Sequence, residues 1–128
     1  MIGSDAFNYI NVLNKCADAS FLRNELISNN LANVSTPNYK RKDINFEEYL
    51  KDELSGKGSL DKRIANVDLS KLNATIYTDQ STLSYRLDGN NVDEAIENAN
   101  LAENQIRYYT LLDSMTQEFS RIKMVLTT

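Results

Sequence analysis

The chain has 128 residues with one Cys, no His and no Trp, and carries 14 basic against 18 acidic side chains for a formal charge of −4. One small domain is what this length allows; Cys16 has no internal disulfide partner, and without His the usual zinc or haem ligand and the commonest general base near pH 7 are missing. No stretch is basic enough to track a phosphate backbone and no apolar run exceeds Met124-Val125-Leu126, so neither a nucleic-acid partner, a membrane span nor a cleavable signal peptide is expected.

The N-terminal third reads as one helix from about Ser4 to Val34. Ile10, Leu13, Ala17, Phe21, Ile27, Leu31 and Val34 recur mostly three and four apart, and Phe7 and Leu26 widen the stripe. Ser4 suits the N-cap and Asp5 the positive helix end. The polar face is rich in Asn, a mediocre helix former, so the helix is weak on its own. Pro37 ends it within Ser35-Thr36-Pro37-Asn38.

Residues 35–86 differ in character and read as a linker. Ile44 to Leu50 suits a short helical turn or an extended stretch, and Ser55-Gly56-Lys57-Gly58-Ser59 is a loop. Leu72 to Thr78 alternates with period two, and a small β-hairpin pairing it with Thr82-Leu83-Ser84-Tyr85-Arg86 is predicted. Leu87 to Asn91 turns into a second long helix, with Asn91 as N-cap and Val92 as its first residue. Its stripe runs through Ile96, Ala99, Ala102 or Glu103, Ile106, Tyr109, Leu112, Met115, Phe119, Ile122 and Leu126, with Asp93, Glu94 and Glu97 at the start and Arg121 and Lys123 near the end, matching the macrodipole.

The expected fold is therefore mainly α: long terminal helices (residues 1–34 and 87–128) form an antiparallel, coiled-coil-like pair, with a small loop and β-hairpin segment (35–86) between them. Two narrow stripes and a short polar middle bury little surface, so the missing burial is expected from other chains. The assembly seam is assigned to Ile10, Leu13, Ala17, Ile27 and Leu31 packing against Ile106, Leu112, Met115, Phe119 and Ile122.

Catalytic and ligand motifs fail on spacing. Asp88-Gly89-Asn90-Asn91-Val92-Asp93 begins like a calcium loop, but its sixth and twelfth positions are Asp93 and Ala99 instead of Gly and an acid. Gly56-Lys57-Gly58-Ser59 lacks the phosphate-loop spacing. Glu47, Glu48, Asp52 and Glu53 lie among Lys40, Arg41, Lys42, Lys51 and Lys57, a solvated mixed-charge face that leaves an acid-pair enzyme only a formal alternative. The glycosylation triplets at Asn33 and Asn73 read as accidental. No enzyme and no cofactor is expected.

Asn29-Asn30-Leu31-Ala32-Asn33-Val34-Ser35-Thr36-Pro37-Asn38-Tyr39-Lys40 resembles the signature of flagellar rod and hook proteins, typically N-[IL]-A-N-x-x-T-P-G-[YF]-K. Asn30, Leu31, Ala32, Asn33, Thr36, Pro37, Tyr39 and Lys40 match; Asn38 replaces the usual Gly and, among non-glycine residues, best tolerates a left-handed backbone. The short chain and the run Leu87 to Asp93, followed by Glu97, Asn104 and Tyr108-Tyr109, are similar to proximal-rod members. Physically the motif is a helix-end joint: Asn33 and Thr36 satisfy freed backbone groups, Pro37 enforces the stop, and Tyr39 anchors the exiting chain on a neighbour.

The resemblance implies a subunit of the basal-body rod, partnered by copies of itself and other rod subunits, and exported by the flagellar type III apparatus without cleavage. Phe46-Glu47-Glu48-Tyr49-Leu50 resembles the export-gate motif through Phe46 and Leu50, and packing of both under the loop explains the same residues. Both terminal helices are expected to order on assembly. The rival reading is a cytoplasmic helical adaptor that binds another coiled coil.

Overall fold

The structure, a computed structural model, describes residues 2–127, with side chains from Asp5 onward; α1 already includes Ser4, so the helix starts before the expected cap. In chain order the elements are α1 (Ile2–Ala32), β1 (Lys42–Asn45), α2 (Glu47–Leu54), α3 (Leu60–Ala65), a 3-10 turn (Leu69–Lys71), β2 (Thr75–Thr78) and α4 (Glu94–Thr127). The long helices α1 and α4 pack antiparallel, and the small two-stranded sheet lies between them in sequence.

α1 buries two faces, where its stripe suggested one. Ala6, Ile10, Leu13, Ala17, Ser20, Asn24, Ile27 and Leu31 alternate four and three residues apart and turn toward α4, a coiled-coil spacing. The second face, with Tyr9, Val12, Cys16, Ala19, Leu22 and Leu26, meets the central segment. There Val12, Ala19 and Leu26 join Ile44, Phe46, Ile64 and Leu72 in the core, flanked by Tyr49, Leu50 and Leu54 of α2. Part of the burial expected from other chains is thus supplied by this chain's own middle: β1, α3 and the 3-10 turn pack on α1, and α2 lays Tyr49, Leu50 and Leu54 against the same cluster.

Local chemistry sets these short elements. The Ser59 side chain accepts from the Lys62 N–H at 3.3 Å and starts α3, and the Asp68 carboxylate accepts from the Ser70 N–H at 3.0 Å and starts the 3-10 turn.

β2 does not pair with residues 82–86 as the alternation suggested. Its antiparallel partner is β1, with Lys42 opposite Thr78 and Ile44 opposite Ile76, and the Asp79 N–H extends the ladder to the Arg41 carbonyl at 2.9 Å. The carboxamide of Asn91 takes the carbonyls of Asp79 and Ser81 at 2.7 and 3.0 Å, groups a hairpin turn would need.

α4 begins two residues later than expected. Asp93 caps it, accepting from the Ile96 N–H at 3.1 Å, while Asn91 is committed to the sheet edge and Val92 is buried ahead of the helix. Glu97, Leu101, Asn104, Tyr108, Leu111, Met115, Glu118 and Ile122 form the inward row, spaced four and three apart. Ile96, Ile106, Tyr109, Leu112 and Phe119 of the expected stripe are 37–70% exposed, spread around the outer sides of the helix.

The assigned seam therefore divides. Ile10, Ala17 and Ile27 are buried, Leu13, Leu31, Met115 and Ile122 half-buried, and Ile106, Leu112 and Phe119 exposed, so within one chain the two halves do not meet along their length.

Truncating the core tests this division. Ile44→Ala or Leu72→Ala is expected to cost about 2–4 kcal/mol in denaturant unfolding, whereas Leu112→Ala costs less than about 1 kcal/mol because its side chain is not in the core.

Candidate assembly joint

The 31-residue α1 ends in a turn whose amides reach its last carbonyls, the Asn33 N–H at 3.1 Å from both Asn29 and Asn30 and the Val34 N–H at 3.3 Å from Leu31. One buried side chain collects the carbonyls of the turn itself. The Asn90 carboxamide donates to the carbonyls of Asn33, Val34 and Thr36 at 2.8, 3.2 and 2.9 Å, and its own oxygen accepts from the Val92 N–H at 2.7 Å. Arg86 adds a bond to the Val34 carbonyl at 2.7 Å and is held by Asp88 at 2.8 Å. On the near side the Asn33 side chain donates to the Asn29 carbonyl and accepts from the Thr36 hydroxyl.

The chain leaves this turn through Asn38, the only non-glycine residue with positive φ among those described, at 63°. Its left-handed backbone is the one anticipated for the position after Pro37. The Asn38 N–H donates to the Asp88 carbonyl at 2.8 Å, and the Asn38 side chain lies where a Cβ on Gly89 would stand, 2.5 Å away. Gly89 itself has φ +78°, so the close approach and the backbone both require glycine.

Beneath the turn is a second polar layer. Asn30 is fully buried, and its carboxamide bridges the Lys42 backbone at both ends, donating to the carbonyl at 2.9 Å and accepting from the N–H at 3.0 Å. Asn30 also accepts from the Tyr39 hydroxyl at 3.1 Å and donates toward Glu97 at 3.4 Å. Glu97, 1% exposed, pairs with the Arg41 guanidinium, which reaches Asp79 and Asp43 at 3.3 Å each. Asn91 closes the layer by accepting from the Arg41 N–H at 2.6 Å. This network ties the end of α1, the start of β1 and the first turns of α4 into one unit.

Nearby carboxylates are held below their usual range by their partners. Hydrogen bonding from Arg23 lowers Glu47 against the opposing effect of burial, Arg86 lowers Asp88, and hydrogen bonding by Ser81 lowers Asp79. Glu47 also meets Arg107 at 3.1 Å, linking α2 to α4. These pairs give Glu47 and Asp79 ionic roles between parts of the chain and Asp88 one within its turn.

The structure brings Asn30, Asn33, Thr36 and Tyr39 of the motif together. Leu31 is half-buried on the α4-facing row, Ala32 is the exposed last residue of α1, and Pro37 is exposed at the exit. Tyr39, expected to reach a neighbour, folds back onto Asn30. Phe46 is a buried core residue and Leu50 packs half-buried beside it, with its N–H on the Phe46 carbonyl at 3.0 Å. Sequence reasoning put Arg41 on a solvated mixed-charge face, Arg86 in a hairpin strand, Asn90 in a turn and Glu97 at the helix start as a match to its dipole, and it did not anticipate their roles in the joint. The available signal was regular: Glu97, Asn104, Leu111 and Glu118 are seven residues apart, a heptad position that a search for apolar stripes passes over.

Residues 23–40, the last turns of α1 and the turn that follows, match a family model described as Flagella basal body rod protein. The chain is 39% identical over 108 residues to the flagellar basal body rod protein FlgB of Bacillus subtilis (strain 168), covering 83% of each chain. It is 37% identical over 102 residues to FlgB of Cereibacter sphaeroides, covering 77% of each. Against FlgB of Borreliella burgdorferi the identity is 34% over 121 residues, covering 85% of this chain and 88% of the relative. The chain belongs to the FlgB family of flagellar basal-body rod proteins.

The joint yields two tests. Gly89→Ala is expected to destabilise by about 2 kcal/mol or more, and Asn38→Gly in the same chain to restore much of that loss by removing the clashing side chain; a double-mutant cycle measures the coupling. The depressed carboxyls contribute fully above the unfolded carboxylate range near pH 4 and lose their contribution as pH falls through their lower folded values. The thermal midpoint should thus be nearly flat from about pH 7 to 5 and fall below about pH 4, and Glu47→Gln should shrink that fall.

Proposed function

We propose that this chain is a non-enzymatic structural subunit of the proximal flagellar rod, built into the basal body by packing of its terminal helices with copies of itself and other rod subunits. The observation that carries the reading is the set of large apolar side chains that α4 leaves exposed. Ile96, Ile106, Tyr109, Leu112 and Phe119 are spread along most of a helix on the order of 50 Å long and around its outer sides, and Phe21 of α1 stands exposed beside Tyr108, with ring centroids 6.3 Å apart. Apolar side chains spread that far along a helix, left in water by the chain's own fold, favour neighbouring chains as their cover. The names of the relatives supply the setting, the rod of the basal body.

The joint serves this role by holding the relative direction of α1 and α4 while loads pass along the stack. The motif residues Asn30, Leu31, Ala32, Asn33, Thr36, Pro37 and Tyr39 act as its helix-end half. Among the described residues no helix is long and apolar enough to cross a membrane. In this reading the chain reaches the rod by export through the flagellar type III apparatus, in an unfolded form that uncovers Phe46 and Leu50 for the export gate.

Leu112→Asp and Phe119→Asp test the assembly face. Both side chains are exposed, so the folded monomer should keep its thermal midpoint within about 2 °C, while incorporation into basal bodies and motility are lost. Normal rods with these variants would overturn the face, and a tagged wild-type copy that stays in the cytoplasm would favour the adaptor reading. Phe46→Ala should lower secretion more than Ile44→Ala matched for lost stability; equal secretion of the two would make Phe46 a packing residue only.

A further inference from the structure

The two edges of the small sheet are finished differently. Along β1, α1 supplies partners for the outward backbone groups: the Asn30 carboxamide takes both the N–H and the carbonyl of Lys42, and Arg23 reaches the Ile44 carbonyl at 3.4 Å. The outer edge of β2 has no such cover. The Asp79 N–H on the Arg41 carbonyl sets the phase of the ladder, so Asp43 with Tyr77 and Asn45 with Thr75 are the pairs that exchange bonds. Ile76 and Thr78 therefore point their N–H and carbonyl groups away from β1. Among the described residues, no hydrogen bond from the rest of the chain reaches those four groups.

Exposed strand edges are usually blunted by charge, proline, a bulge or a covering element. Thr75-Ile76-Tyr77-Thr78 has none of these. All four residues are exposed, Ile76 by 53% and Tyr77 by 40%, and each is β-branched or aromatic. Ile76 stands opposite Ile44, which is buried in the core, so the apolar face of the sheet ends unfinished at β2. Two strands of four residues are also a minimal sheet, one that gains from further strands.

We propose that β2 pairs antiparallel with β2 of a second copy of this chain, about a two-fold axis at Tyr77, to make a four-stranded sheet across two chains. The occupant follows from the spacing of the free groups. With the two Tyr77 residues opposite each other, Ile76 of each copy faces Thr78 of the other. Each of these two pairs exchanges two backbone bonds, so the four groups left free on one edge are answered one for one by the four on the other. The side chains agree with this register. The tyrosines form a close, non-hydrogen-bonded pair, and each Ile76 lies beside a β-branched threonine. No charged side chain lies in the paired strands, and the charge next in sequence, Asp79, is already held by Arg41 at 3.3 Å.

A two-fold contact of this kind is self-complementary and closes at two copies. In the free subunit it hides an edge that would otherwise accept any extended chain. It uses none of the α4 side chains assigned to the rod face and is independent of the rod reading.

Sedimentation velocity on the purified full-length chain, from about 10 µM to about 1 mM, tests the pairing. A contact this small implies a dissociation constant on the order of 100 µM, so the average mass should rise from one chain toward two across that range. Thr78→Pro removes an outward N–H and spares the bonds to β1, and this variant should stay folded and monomeric throughout. Tyr77→Lys and Tyr77→Glu each set like charges opposite one another. Either alone should remain monomeric, and an equimolar mixture should recover the dimer. The Tyr77 pair decides the matter even if Thr78→Pro fails to fold. A wild-type chain that stays monomeric at the top of the range overturns the pairing. So do growth beyond two copies, a dimer that survives in folded Thr78→Pro, and a mixture of the two Tyr77 variants no more associated than either alone.

Discussion

The structure depends on how the chain turns after α1. Three carbonyls of that turn, from Asn33, Val34 and Thr36, converge on a single buried carboxamide 57 residues away from Asn33. Asn suits the task because its NH₂ group offers two donors on a short stem. Once Asn90 is placed, Asn91 must face β1 and the carbonyls after β2, and Asp93 must cap α4. Helix end, sheet edge and helix start are consequences of one local accounting of hydrogen bonds.

Around that joint the molecule divides its apolar surface unevenly. α1 is sandwiched, with one row toward α4 and one toward a small core built from β1, α2, α3 and the turn. α4 is bound through a row in which Glu97, Asn104 and Glu118 alternate with half-buried apolar residues, and it leaves Ile96, Ile106, Tyr109, Leu112 and Phe119 exposed around its other sides. In a subunit of a stack, the buried polar groups set register within the chain, and the exposed apolar side chains have the most to gain from a neighbour.

The charged network adds specificity at the same place. Arg41 lies among Glu97, Asp43 and Asp79, three acids from three parts of the chain, and Asn30 supplies neutral hydrogen bonds to the same cluster. A pair as buried as Arg41 and Glu97 contributes little net stability but penalises every arrangement that separates the partners. That suits a joint whose task is to hold a direction between two long helices.

Much of this was legible in the sequence. Periodicity located both long helices to within two residues at the ends facing the turn, Pro37 marked the stop, and Asn38 was identified as able to take the left-handed position in which it stands. These are local properties, set by side-chain spacing and backbone sterics within a few residues. The strand partner of β2, the inward face of α4 and the roles of Asn90, Arg41 and Glu97 were decided only by tertiary structure. Each depends on groups brought together from distant parts of the chain: β2 pairs with β1 while Asn91 takes the carbonyls of Asp79 and Ser81, and the inward row of α4 includes Asn104 and Glu97, which meet Ser20 of α1 and Arg41 just before β1. Apolar periodicity reports how much surface a helix can bury, and hydrogen-bond demand at fixed points in space decides which face it buries.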